Sequence, residues 1–88
     1  MNNNRRKELA AIVELANKLS TLLDEIRNDL ENVRDEEQDA YDNMPEGLQA
    51  SERGENSEAA ISQMEDALSM LTDLDPETLI GCLEEAAN

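Results

Sequence analysis

The stretch that decides the fold is Leu9–Val33, LAAIVELANKLSTLLDEIRNDLENV. Its apolar residues step by three and four without a slip, which is the spacing of the a and d positions of a heptad repeat. Because no Gly or Pro interrupts residues 1–44, we predict one helix over residues 4–41. The predicted packing seam of this helix comprises Leu9, Ile12, Ala16, Leu19, Leu23, Ile26, Leu30 and Val33.

The apolar face of this helix is wider than a two-stranded seam. Leu15 and Leu22 occupy g positions, and Val13 occupies an e position. A helix with this many apolar positions usually packs against more than one neighbour. Glu37 takes the next a position after Leu30, where a charge weakens self-packing and sets register or partner choice.

A break is predicted over residues 42–51. Pro45 has no amide hydrogen and disfavours helix at the preceding residue, while Asn43 and Gly47 are turn formers. Apolar spacing resumes afterwards and predicts a second helix over residues 52–72. Its seam comprises Ile61, Met64, Leu68 and Leu71.

A third helix is predicted over residues 76–86. Asp75 is placed to cap it and Pro76 to occupy its first turn. The chain therefore reads as one all-α domain, residues 1–88, with the first two helices forming an antiparallel hairpin. Since the first helix is about twice as long as the second, part of its seam lacks a partner, and we expect a helical-bundle homo-oligomer, in the simplest case a homodimer.

The acidic residues are unevenly distributed. The 88 residues include 22 acidic and 7 basic ones, a net charge of −15. Residues 1–34 contain six of each sign, so the whole excess falls in residues 35–88. An acidic chain repels phosphate, which argues against direct binding to nucleic acid or an anionic membrane. No stretch approaches the roughly 20 apolar residues of a membrane span, and a single cysteine builds no disulfide framework, so we expect a cytoplasmic protein.

The residue types argue against an enzyme and against a bound cofactor. The chain has no His, the side chain most used for acid–base catalysis near neutral pH. Cys82 therefore has no imidazole to activate it, and its apolar neighbours indicate a small buried residue.

Calcium is the one metal with a partial motif. Four carboxylates match positions 1, 3, 5 and 12 of an EF-hand loop, but position 6 is Thr78 rather than Gly, and Pro76 intrudes at position 4. A capped helix explains these residues better, so no metal site is predicted. The four carboxylates are those of Asp73, Asp75, Glu77 and Glu84.

The densest acidic stretch lies at the end of the first helix and in the turn. It is either a solvated helix end or an interaction surface for a basic protein. Carboxylates near a helix C-terminus oppose the helix dipole, which favours the second interpretation. The candidate surface comprises Asp35, Glu36, Glu37, Asp39, Asp42 and Glu46.

Residues 35–55, DEEQDAYDNMPEGLQASERGE, carry a resemblance to a known type of protein. An acidic helix end, an aromatic residue, Asp-Asn-Met-Pro-Glu, Leu-Gln and Ser-Glu-Arg-Gly-Glu follow one another before an Ala-rich helix. This pattern resembles small acidic helical-hairpin proteins of phages and bacterial mobile elements. The resemblance implies a helical hairpin and, for a phage protein, the host cytoplasm, but no mechanism.

Two functions remain open. The first is a non-enzymatic interaction protein that presents carboxylates to a basic protein, for example an inhibitor that mimics DNA. Sixteen acids over 54 residues give about one charge per 5 Å of helix, or one per 2–3 Å for two adjacent helices, against about 1.7 Å in duplex DNA. The second is a self-assembling structural protein that functions through the seam of the first helix.

Overall fold

The computed structural model describes residues 1–88 and contains four helices and no strand. They are α1 (Asn3–Asp42), α2 (Glu46–Gln49), α3 (Glu52–Asp73) and α4 (Pro76–Ala87). The all-α class, with one long helix and shorter ones, is confirmed. The bounds of α1, α3 and α4 differ from the predicted ranges by one residue or none.

The break that follows α1 contains a short helix that the sequence did not predict. Pro45, with φ −58°, stands at the N-cap of α2, and its carbonyl accepts hydrogen bonds from the amides of Leu48 and Gln49 at 2.9 and 3.1 Å. Gly47 lies inside α2 rather than in an open turn. Asn43 still donates to the Asp39 carbonyl at 3.0 Å, so the hydrogen-bond pattern of α1 extends to it.

The predicted cap of α4 is confirmed. Oδ1 of Asp75 accepts from the Thr78 amide at 3.1 Å, its Oδ2 accepts from Thr78 Oγ1 at 2.5 Å, and Pro76 lies in the first turn. These hydrogen bonds stabilise the ionised carboxylate and therefore lower the pKa of Asp75. The cap satisfies an amide that would otherwise lack a partner at the helix start.

The chain divides into two compact units. Unit 1 comprises residues 1–25 and 74–88, that is, the first part of α1 and all of α4. Its buried apolar residues are Ala16 and Leu23. At its other end, Arg6 Nε donates to the Ala87 carbonyl at 3.1 Å, which ties the start of α1 to the end of α4.

Unit 2 comprises residues 26–73, that is, the rest of α1 with α2 and α3. Its buried side chains are those of Ile61 and Ser57, and Gly54 is buried beside them in α3. Arg27 Nη2 donates to the Leu71 carbonyl at 3.4 Å and so links α1 to the C-terminal part of α3. Met64, Leu68 and Leu71, the remainder of the predicted α3 seam, are half-buried.

The seam of α1 divides by heptad position. Its a positions face inward, since Ala16 and Leu23 are buried and Leu9 and Leu30 are half-buried. The d positions remain 44–52% exposed, and they are Ile12, Leu19, Ile26 and Val33. The e position Val13 is half-buried instead. Within one chain, α1 therefore packs through its a and e positions and leaves the d positions at the surface.

Gly54 is the position where α3 tolerates no side chain. A Cβ there would lie 2.5 Å from the backbone carbon of Gln49 and 2.6 Å from its Cα, and backbone atoms cannot rotate away. A Cβ at Gly81, in α4, would meet nothing within 4 Å.

We therefore predict opposite effects for two glycine-to-alanine changes. Gly54→Ala should lower the free energy of unfolding by about 1–3 kcal/mol, because overpacking outweighs the helix preference of Ala. Gly81→Ala should raise it by up to about 1 kcal/mol, since only the helix preference acts. Urea unfolding followed by circular dichroism measures both. Equal effects of the two changes would contradict the close approach of α3 to α2.

Candidate interaction surfaces

Unit 2 carries most of the excess charge. It contains 14 acidic and 3 basic residues, a net charge of −11, whereas unit 1 contains 8 and 4, a net charge of −4. Every acidic side chain of unit 2 is exposed except those of Glu31 and Glu37, which are half-buried. Three arginines cannot neutralise 14 carboxylates, so unit 2 presents a predominantly negative surface.

Most residues of the predicted acidic surface point into solvent. Asp35 is exposed and pairs with Arg34 at 2.9 Å, and Asp42 accepts from Gln38 Nε2 at 3.0 Å. Glu36, Asp39 and Glu46 are also exposed, and Glu46 opens α2. A partner could reach these carboxylates without any change in unit 2.

Glu37 differs from the rest of the acidic surface because it takes part in packing. Its Oε1 accepts a hydrogen bond of 2.6 Å from Ser57 Oγ, and Ser57 is only 4% exposed. The bond gives a buried hydroxyl its partner and joins the last third of α1 to α3. The carboxylate at this seam position therefore joins two helices of the same chain.

Tyr41 lies four residues after Glu37 and forms a second link between α1 and α3. Its hydroxyl donates to Glu58 Oε1, and its carbonyl accepts from Gln49 Nε2 at 2.9 Å. The hydrogen bond to Glu58 holds the phenol proton, and together with the nearby carboxylates it raises the pKa of Tyr41 above its usual value. The only aromatic residue of the chain therefore connects three helices.

An open groove of about 530 Å³ lies between the end of α1 and the start of α3. Its wall combines the carboxylates of Glu37 and Glu52 with the apolar side chains of Ala40 and Met44. Arg53 also lines it. A long basic side chain has an apolar stem and a charged head, and this wall offers contacts for both.

Unit 1 presents a different kind of surface, which we call the outer stripe. It comprises Ile12, Leu15, Leu19 and Leu22, and these side chains are 46, 63, 44 and 54% exposed. They again step by three and four along α1, so they form a continuous apolar row on the side that α4 does not cover. The outer stripe joins the d positions of the predicted seam to the two g positions.

The outer stripe continues onto α4 at Leu19. A groove of about 320 Å³ is lined by Leu19, Leu23, Leu74, Pro76 and Leu79, with Asp75 at its edge. Leu74 and Leu79 are 55 and 47% exposed. Six large apolar side chains of unit 1 are thus half in water, and contiguous apolar patches of this kind commonly mark interaction sites.

Two residues through which α3 contacts its neighbours, α2 at Gly54 and α1 at Ser57, were not predicted from the sequence. Gly54 and Ser57 are not apolar side chains, so a search for hydrophobic spacing passes over them. Gly54 and Ser57 nevertheless stand seven and four residues before Ile61, which continues the three-and-four spacing of the α3 seam backwards. Small residues at the spacing of the seam were therefore the feature of the sequence that could have predicted these contacts.

Cys82 corrects one prediction. It is exposed rather than buried, because the inward side of α4 is formed by Ile80, Leu83 and Ala87. No group of three or more acidic or cysteine side chains is arranged to hold a metal ion. None of the helices has the length and apolar character that crossing a membrane would require.

The single tyrosine allows its hydrogen bond to be tested directly. In the native protein we expect ultraviolet titration to give Tyr41 a pKa above about 10, and a value near 10 once urea unfolds the chain. Because the pKa of Tyr41 is raised in the native state, the contribution of the Tyr41 hydrogen bond to the free energy of unfolding is complete below about pH 10. That contribution disappears as the pH rises through the native pKa.

Glu58→Gln should bring the native pKa of Tyr41 down, because it removes both the charged acceptor and its repulsion of the phenolate. The control is Glu65→Gln, a carboxylate that lines one shallow groove with Tyr41 and Glu58 but has no hydrogen bond to the tyrosine. A native pKa that Glu58→Gln leaves unchanged would contradict the link.

Comparisons with known proteins do not assign the chain to a family. No family model matches it, and searches of curated proteins and of solved structures give no match. The resemblance of residues 35–55 to small acidic phage proteins therefore stays a prediction. The functional argument depends on the two surfaces just described.

Proposed function

We propose that this protein is a non-enzymatic interaction module that binds a basic protein through the acidic surface of unit 2. The observation that carries the proposal is the concentration of charge, −11 of the total −15, in residues 26–73. In a phage or mobile-element setting, such a module acts in the host cytoplasm as an inhibitor of a nucleic-acid-binding or defence protein.

Accessibility of the carboxylates supports this function. Twelve of the 14 acidic side chains of unit 2 are exposed, and the 530 Å³ groove adds a cleft with charged and apolar walls. The antiparallel hairpin predicted for α1 and α3 is supported by the bonds of Arg27 to Leu71 and of Glu37 to Ser57. Helices so arranged bring the charge spacing near that of duplex DNA.

Binding to a basic partner should be strongly dependent on salt. Immobilised protein should retain a basic protein from bacterial extract at about 50 mM salt. It should release that protein as the salt concentration rises, because salt screens the charges. With that partner purified, Asp35→Asn/Glu36→Gln/Asp39→Asn should weaken binding by about 10-fold or more, since each lost interfacial charge contributes a fraction of a kcal/mol to a few kcal/mol.

The matched control removes three exposed carboxylates from unit 1, as Glu8→Gln/Glu14→Gln/Glu85→Gln. It changes the net charge by the same amount and should leave affinity nearly unchanged. Equal weakening by both triple variants would show a general charge effect and no acidic site. Retention of no basic protein would refute the proposed function.

A second function is favoured by the outer stripe. It is self-assembly as a structural protein through α1, with the acidic residues keeping the assembly in solution. Four large apolar side chains in a row on α1 remain 44–63% exposed within the chain. Covering them with another chain removes apolar surface from water, which is the main favourable term in association.

Polar replacements in the outer stripe test self-assembly without disturbing the interior. Leu15→Gln/Leu22→Gln changes the two most exposed members and should convert an oligomer into a monomer of unchanged helix content. Met70→Gln is the control, because Met70 is 68% exposed and lies on α3. Sedimentation equilibrium measures the mass. A wild-type chain that is still monomeric at about 100 µM, a concentration comparable to the dissociation constant of a weak interface, would exclude assembly.

A further inference from the structure

We propose that two copies of this chain pair antiparallel through the outer stripe, in the one register that sets Lys18 of each copy against Glu25 of the other. The inference rests on the self-assembly just proposed and adds its orientation, register and ion pairs. The occupant of the outer stripe is thus a second copy of α1, and unit 1 of each copy contributes α4 to a four-helix arrangement.

Charge favours a second copy at this place. Residues 1–34 contain six acidic and six basic residues, so this part of α1 has no net charge. Two chains of charge −15 repel each other, and the neutral part of α1 offers the approach with the least repulsion. The same part of the helix carries the uncovered apolar row.

The outer stripe has the geometry of a second heptad seam. With Ile12 and Leu19 as its a positions and Leu15 and Leu22 as its d positions, Ile26 follows as the next a position of α1. Lys18 and Glu25 are exposed and occupy successive g positions at the edge of this seam. In an antiparallel pair, g positions of the two helices face each other across the seam.

Only one of the three closest antiparallel registers pairs opposite charges. With Leu19 packed beside Leu22 of the second copy, Lys18 of each copy meets Glu25 of the other, and two equivalent ion pairs form. A shift of one heptad in one direction sets the two Lys18 side chains together. A shift in the other direction sets the two Glu25 side chains together, and like charges across a seam disfavour pairing.

A parallel pair gives these charges no partner. There, g positions face e positions of the other helix, so Lys18 would meet Leu23, which unit 1 buries. Asp29, the next d position of the same seam, would also face its own copy. The antiparallel register avoids both arrangements, because it pairs Lys18 with Glu25 and sets Asp29 opposite Ile12.

Charge reversal tests the register in the full-length protein. Lys18→Glu and Glu25→Lys should each raise the dissociation constant of the dimer about 10-fold, since each change turns two attractive pairs into two repulsive ones. The double variant Lys18→Glu/Glu25→Lys should return it to within about 3-fold of the wild-type value. Both changed positions are exposed, and circular dichroism checks that helix content is unchanged in all three variants.

Orientation is measured separately with spin labels at Lys7→Cys in a Cys82→Ser chain. The proposed register separates the two labels by about 40 Å, whereas a parallel pair holds them within about 20 Å. A dimer with the short distance, or single charge reversals without effect, would overturn this inference and leave self-assembly standing. A chain that forms no dimer would overturn both.

Discussion

The structure depends on one constraint: α1 carries more apolar surface than the shorter helices can cover. Its a, d, e and g positions all include apolar residues, and α3 and α4 are 22 and 12 residues long against the 40 of α1. Each shorter helix takes the a and e side. As a result only Ala16, Leu23 and Ile61 form a buried apolar core, and the remaining apolar positions stay half in water.

The two units respond to this constraint with different chemistry. Unit 1 packs aliphatic side chains and leaves an apolar row outside. Unit 2 packs α3 against its neighbours at small or polar residues, with Gly54 against the Gln49 backbone of α2 and Ser57 bonded to Glu37 of α1. The charge of unit 2 is therefore compatible with close packing, because Glu37 enters the contact and twelve of the other carboxylates are exposed.

Much of the fold follows from local sequence signals. The three-and-four spacing predicts α1 and α3, and Asp75–Pro76 predicts the start of α4, because these signals act through backbone hydrogen bonding and helix periodicity. The face of α1 that is covered could not be predicted, since periodicity marks every apolar row equally and the choice depends on which helices return to pack against it. The exposure of Cys82 could not be predicted for the same reason, because its apolar neighbours do not show which side of α4 faces outward.

The charge of unit 2 also bears on how stable this unit is. Eleven uncompensated negative charges in 48 residues repel one another, and the repulsion is strongest in dilute salt. Any cation that binds the folded form more tightly than the unfolded chain removes part of that repulsion and shifts the folding equilibrium by mass action. We therefore expect unit 2 to be less stable in dilute than in concentrated salt, and binding of the proposed basic partner would supply folding free energy as well as affinity.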